Sequence, residues 1–268
     1  MLALDHFRRE MDTMRTVDDC EACDRPVAAL ATDYMHGAEV SPHSHSRAQL
    51  IHSVTGAMTV TSSGGRWVVP AGKAVWMPGG MSHQIRMAGN VRMRTIFVRA
   101  DARSGLPRQC EVIEVSALLR EAIIAAMTIP LMYAEQGRDH RVMELILDEL
   151  EQAPRLAMHV PFPEDPRLML VCQHLLAKPT HAPTINELAA RIHVSGRTLS
   201  RLFERELGMT VSAWRRRMCI LLSLSRLATG ASLGEIALEF GYESPSAFTA
   251  MFKRELGMAP TAYLANQS

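Results

Sequence analysis

The sequence predicts an α+β chain of two domains: an N-terminal β-barrel with flanking helices, then an all-α domain of two helix-turn-helix units. Three observations carry that expectation. Short apolar or alternating segments, separated by Gly- and Pro-containing turns, fill the first half. A stretch with four prolines in fourteen residues, 153–166, interrupts the chain, and proline denies both helix continuation and sheet hydrogen bonds. Beyond it, Arg205-Glu206-Leu207-Gly208-Met209 recurs 49 residues later as Arg254-Glu255-Leu256-Gly257-Met258. One supersecondary unit therefore occurs twice.

Composition bounds the class. With 268 residues, 47% hydrophobic and 21% charged, the chain is globular and not mainly disordered. No uninterrupted apolar stretch reaches the roughly 18 residues of a membrane span. Residues 1–10 carry no apolar core followed by a small-residue cleavage site, so a soluble cytoplasmic protein without a membrane partner is expected. Five cysteines are too few and too odd in number for a disulfide framework. Cys20 and Cys23 form one C-x-x-C pair without a second, which reads as free thiols in a reducing compartment. The net charge of +1 is an average over unlike halves. From residue 165 onward 12 Lys+Arg face 8 Asp+Glu, a net of +4, and the remaining 17 bases and 20 acids leave −3. Two domains with different partners follow: 1–152, and 167–268 after a linker at 153–166.

Strands are expected at residues 28–35, 49–54, 58–61, 74–77 and 93–98, with turns at Thr55-Gly56, Ser63-Gly64-Gly65, Pro70-Ala71-Gly72, Pro78-Gly79-Gly80 and Gly89-Asn90. The period then changes. Leu118, Leu119, Ala122, Ile123 and Ala126 mark a helix at 116–127, and Val142, Leu145, Ile146, Glu149 and Leu150 mark another at 140–151. The two helices either cap the barrel or form a dimer seam.

Each copy of the repeat reads as helix, tight turn, helix. Thr184 and Glu187 make a capping box ahead of Ile185, Leu188, Ala189 and Ile192; after the His193-Val194 turn, Ser195 caps a second helix that Gly208 stops. In the second copy Ser232 pairs with Glu235, Gly241-Tyr242-Glu243 turns, Ser244 caps with Pro245 at the first helical position, and Gly257 ends the helix. This is the pattern in which the second helix enters a DNA major groove. The first such helix exposes Arg197, Thr198, Ser200, Arg201 and Arg205, residue types suited to guanine edges and phosphates. The second exposes the poorer set Ser246, Thr249, Ala250 and Lys253. Between them, Val211, Trp214, Met218, Leu221, Leu222 and Ala228 form a core stripe, and Arg215-Arg216-Arg217 is either a solvated face or a set of phosphate contacts.

The text SGRTLSRLFERELGMTVSAWRRRM, then LGEIALEFGYESPSAFTAMFKRELGMAPTAY, resembles the AraC/XylS transcriptional regulators over about residues 167–264. The resemblance implies double-stranded DNA as partner, contact with RNA polymerase, and base contacts from Arg197, Ser200 and Arg201, then Ser246, Thr249 and Ala250. Ala250 departs from members with a long polar side chain there.

In the first half, His43, His45 and Gln49 share parity on extended chain. The spacing Gly37-x5-His43-x-His45-x3-Gln49-x6-Gly56, then Gly72-x5-Pro78-x-Gly80-x2-His83, looks like the two motifs of the cupin barrel over about 28–98. That resemblance implies a divalent transition metal (Zn, Ni, Fe or Cu) held by His43, His45, Gln49 and His83. Gln49 stands where the family has Glu, and Met87 where it usually has Asn, so a site without ligand charge and a dry or water-filled effector pocket are the two alternatives. Met58, Trp67, Trp76, Met77 and Met81 either line such a pocket or form core. The resulting expectation is a homodimeric, sequence-specific transcription regulator whose cupin-like domain senses a small effector or metal. The competing expectation is a metal-dependent cupin dioxygenase or isomerase carrying a DNA-binding domain.

Overall fold

The computed structural model describes residues 15–180 and 183–265. Residues 1–10, read above for a leader segment, lie outside the described residues. A short helix α1 (Val17–Ala22), closed by a Thr16–Asp19 capping box, precedes strand β1 (Val27–Tyr34). Then follow β2 (Glu39–His43), β3 (Ala48–Ser62), β4 (Gly65–Pro70), β5 (Lys73–Met77), β6 (His83–Val98) and β7 (Glu111–Glu114). Helices α2 (Ala117–Ala126) and α3 (Arg138–Gln152) lead to the short strands β8 (Arg155–Leu156) and β9 (His159–Pro161).

All nine strands described join one sheet, in the order β1-β6-β3-β5-β7-β8, with β2 on β6, and β4 between β3 and β9. The N-terminal half is sheet-rich as expected, but among the described residues the hydrogen-bonded ladders do not close into a ring. Two of the expected turns are corrected. Thr55-Gly56 lies inside the 15-residue β3 and Gly89-Asn90 inside the 16-residue β6. Both glycines have positive φ, and the β3–β6 register shifts between Ser53 and Ala57. A left-handed glycine there makes a bulge that bends a long strand without ending it. A Cβ at Gly56 would meet Val91 Cγ2 at 2.8 Å and Asn90 O at 2.9 Å.

Helices α2 and α3 lie on one face of the sheet, where Leu119, Ile123, Ile146 and Leu150 pack with Leu50, Trp76 and Ile96. They therefore cap the sheet; Leu118, counted in the apolar stripe, is 52% exposed instead. The Pro-rich stretch 153–166 is also corrected. It is no free linker, because β8 pairs with β7 and β9 with β4. Pro161 is tolerated since β9 is an edge strand with one neighbour.

The C-terminal half is helical: α4 (Pro166–Ala177), α5 (Ile185–Arg191), α6 (Gly196–Leu207), α7 (Val211–Ala228), α8 (Leu233–Glu239), α9 (Pro245–Leu256) and α10 (Pro260–Ala265). Both capping boxes form, Ser195 and Ser244 cap α6 and α9, and Gly208 and Gly257 end them in the left-handed conformation. Helix α7 is the shared spine, with Val211, Trp214, Met218 and Leu221 buried. It also rests on β3, β4 and β6, and Trp214 donates from Nε1 to Pro161 O at 2.8 Å. The two halves thus share one apolar cluster.

Candidate functional site

Two sites emerge, one in each half. In the sheet, β2 and β6 pair His43 opposite His83, and the chain after β2 brings His45 beside them. Their ring centroids are 4.4 to 5.8 Å apart. One nitrogen of each imidazole lies within 4.8 Å of the others, against at most about 4.2 Å for two nitrogens on one ion.

Local hydrogen bonds fix which nitrogens face inward. His43 Nδ1 lies 2.7 Å from Ser41 O and His83 Nδ1 lies 3.0 Å from Met81 O. A carbonyl only accepts, so each Nδ1 carries the proton and each Nε2 keeps its lone pair, as in metal-binding histidines. Burial, reinforced by the neighbouring imidazoles, lowers the pKa of His83, although its bond to Met81 opposes the shift. Burial and then His43 lower His45, with Glu21 opposing. These two rings are therefore neutral near pH 7, the form that ligates metals.

Gln49 sits on β3 opposite Phe97, whose ring contacts His45 at 5.6 Å. Its Oε1 and His83 Nε2 are both buried without a hydrogen-bond partner, an unfavourable state that an ion or ordered ligand would relieve. The donor set fits a divalent transition metal. One participant was not legible in the spacing. Glu21, from α1, accepts from Ser46 N at 3.0 Å and from Ser46 Oγ, which leaves Oε1 3.6 Å from His45 Nδ1. It brings to the site a carboxylate that Gln49 lacks, and no motif announces it because it comes from a separate helix.

An open cleft of about 660 Å³ between Pro42, Gly80, Ser82 and Arg108 reaches His83. Of the candidate pocket residues, Met58, Trp67, Trp76 and Met77 are core, while Met81 lines this cleft. Cys20 and Cys23 are buried free thiols. Cys23 Sγ contacts Leu131 O at 3.3 Å, and burial pushes the Cys20 thiol up to about 11.

In the helical half, Arg197, Arg201 and Arg205 are exposed on α6 at four-residue spacing, a single file along the helix. Among the described residues none of the three has a carboxylate partner. Ser200 is half-buried. Thr198 is also half-buried, and its hydroxyl is engaged 2.9 Å from Ser195 Oγ, so it serves the cap. On α9, Ser246, Ala250 and Lys253 are exposed and Thr249 is half-buried. The Arg215–Arg217 run is not uniformly free, because two of its members have partners within the protein. Arg215 donates to Pro179 O at 2.9 Å and Phe240 O at 3.1 Å, tying α7 to its neighbours, and Arg216 pairs with Glu255 at 3.2 Å.

Comparison with known proteins matches both halves. Residues 27–150 match an AraC-like ligand binding domain and residues 188–266 a helix-turn-helix domain. The chain is 30% identical to the HTH-type transcriptional regulator NimR of Escherichia coli over 223 residues, 83% of this chain and 81% of that protein. It is 29% identical to the HTH-type transcriptional regulator RipA of Corynebacterium diphtheriae over 128 residues, 48% of this chain and 36% of that one. Among solved structures, ToxT from Vibrio cholerae aligns over 90% of this chain and 98% of its own, at 10% identity and a TM-score of 0.38.

Proposed function

The chain belongs to the AraC family of DNA-binding transcription regulators with an N-terminal ligand-binding domain, and from that premise we propose how its two sites divide the work. The α6 file reads the operator. Arg197 and Arg201, with Ser200, contact base edges or phosphates, and Thr198 only caps the helix. On α9, Ser246, Thr249 and Lys253 supply a second, weaker contact that fixes register on the duplex. The observation that carries this reading is the row of three exposed arginines without carboxylates on a capped second helix. Genomic footprinting supplies the operator; an operator bound equally well by the parent and a joint Arg197→Ala, Arg201→Ala variant would remove α6 from recognition.

His43, His45 and His83, with Gln49 as an amide ligand, hold one divalent ion. When bound, that ion supplies an open coordination position for an effector oxygen or nitrogen. The protein holds the His43 and His83 ring orientations through Ser41 and Met81, and burial favours the neutral form of His45 and His83. Dialysis against Zn, Ni, Fe and Cu followed by metal analysis should give about one ion per chain, lost in the His43→Ala, His45→Ala variant. A metal-replete parent that retains none would eliminate the site.

Regulation then follows from differential effector affinity for two arrangements of the protein, with a homodimer and RNA polymerase as partners in the cytoplasm. No described helix is long and apolar enough to cross a membrane. The second reading, a metal-dependent dioxygenase or isomerase, is favoured only by the histidine cluster. Oxygen uptake or substrate turnover by metal-loaded protein would reverse the order of the two.

A further inference from the structure

The three imidazoles are not held by the same kind of partner. His43 and His83 each present Nδ1 to a carbonyl two residues back, Ser41 O at 2.7 Å and Met81 O at 3.0 Å. Among the described residues no backbone carbonyl plays that part for His45. Its ring stands edge-on to His43 at 4.8 Å and to Phe97 at 5.6 Å, and its main-chain carbonyl accepts from Gly80 N at 2.7 Å. Packing therefore places the ring but leaves open which nitrogen carries the proton. What faces Nδ1 is Glu21 Oε1, 3.6 Å away.

Glu21 is fixed there from both ends. Its Oε2 accepts from Ser46 N at 3.0 Å and from Ser46 Oγ. Its main-chain carbonyl accepts from Arg47 Nε at 3.3 Å, and the same buried guanidinium donates to Arg25 O at 2.9 Å and to Cys23 O. The two residues that follow His45 in the chain thus set the carboxylate beside it. Oε1 is left buried without a hydrogen-bond partner, an unsatisfied acceptor next to a ring nitrogen. At 3.6 Å the pair is a few tenths of an ångström too long for a hydrogen bond, and a small side-chain rotation closes it. The donor atoms within 4.8 Å of one another are those of His43, His45 and His83, without Glu21. Its place is behind the ring and not on the ion.

We infer that Glu21 is a positioning residue for His45: its carboxylate accepts the Nδ1 proton, holds the ring as the Nδ1–H tautomer, and leaves the Nε2 lone pair for the ion. The assignment rests on the ion-binding reading of the three histidines. A carboxylate behind a ligating imidazole fixes its orientation and makes the other nitrogen a stronger donor. It also returns to the site, one hydrogen bond away, the negative charge that the Gln49 amide does not supply. All three rings then become alike, each with Nδ1 tied and Nε2 free.

Two measurements on full-length protein test this. NMR of nitrogen-labelled, metal-free protein reads imidazole tautomers directly, and His45→Gln assigns the His45 signals by their loss. Zinc titration against a competing chelator reads affinity. The parent should show His45 as the Nδ1–H tautomer. Glu21→Gln should give a mixture of His45 tautomers, with the His43 and His83 signals unchanged as proof that the variant is folded. Its zinc affinity should fall by about tenfold or more, with binding still saturable. A carboxylate that only anchors α1 would leave the tautomer where it is. The assignment alone is overturned by an Nε2–H tautomer of His45 in the metal-free parent, by a tautomer unmoved in Glu21→Gln, or by equal zinc affinity in parent and variant. A parent that binds no zinc overturns both the assignment and the ion-binding reading beneath it.

Discussion

The two helix-turn-helix copies share a sequence signature and differ in what they leave free. Glu206 and Glu255 occupy the same place in the repeat. Glu206 Oε1 accepts the backbone N–H groups of Glu164 and Asp165 at the start of α4, and its neighbour Arg205 stays unpaired on the surface. Glu255 instead holds Arg216 at 3.2 Å and lies 3.8 Å from Arg254, so the arginine equivalent to Arg205 is partly neutralised. The copies also differ in the turn. Thr184 and Ser232 are 48 residues apart but Ser195 and Ser244 are 49 apart, because Glu243 lengthens the second turn by one residue. One unit is built to present charge; the other is built into the packing around α7.

The largest break in this comparison should come from the second turn. Gly241 has φ +72°, and a Cβ there would lie 2.2 Å from Thr180 O. Gly241→Ala should destabilise the protein by about 2–3 kcal/mol, because strain adds to a backbone clash. Gly208→Ala, with the same handedness but open space around it, should lose only about 1 kcal/mol. Urea unfolding of both checks the pair; equal losses would show that Thr180 simply moves away.

Next comes DNA recognition. Arg201→Ala should weaken specific operator binding by about 1–3 kcal/mol and relax base preference at one position in the first half-site. Thr249→Ala on α9 should cost less than half of that if the second unit mainly positions the protein. Competition binding against single-base operator variants distinguishes them, and a larger loss for Thr249→Ala would invert the assignment. A smaller effect belongs to the first turn, where His193 takes φ 55° without being glycine. His193→Gly should stabilise by about 1 kcal/mol through relief of left-handed strain; an unchanged melting temperature would mean that the loss of chain entropy in glycine offsets it.

Legibility in the sequence follows interaction range. Caps, turns and the α7 stripe depend on residues three or four apart, and Thr184, Ser195, Ser232 and Gly257 stand where the text places them. The histidine cluster was also readable, since β2 and β6 carry its motif spacing. Glu21 beside His45, β9 docked on β4, and Arg215 bonded to Pro179 and Phe240 were not. Each depends on which distant surface packs against a segment, and composition does not reveal it: prolines suggested a linker where β8 and β9 pair, and the arginine run left a solvated face and phosphate contacts open. Gly56 and Gly89 misled for a related reason, because a positive-φ glycine serves a bulge as readily as a turn.

The smallest effect sharpens the comparison most, since it tries to turn one copy into the other. Glu255→Gln keeps the side-chain shape and removes the charge that holds Arg216 and Arg254. The helix ends in glycine with its cap intact, and these ion pairs are partly exposed, so stability should fall by no more than about 1 kcal/mol. If the freed arginines reach phosphates as Arg205 is placed to do, the slope of log K against log salt should steepen by about one unit for any DNA sequence, with base preference unchanged. An unaltered slope would mean that the second unit faces away from the backbone, and that its carboxylate is there for packing and not to restrain charge.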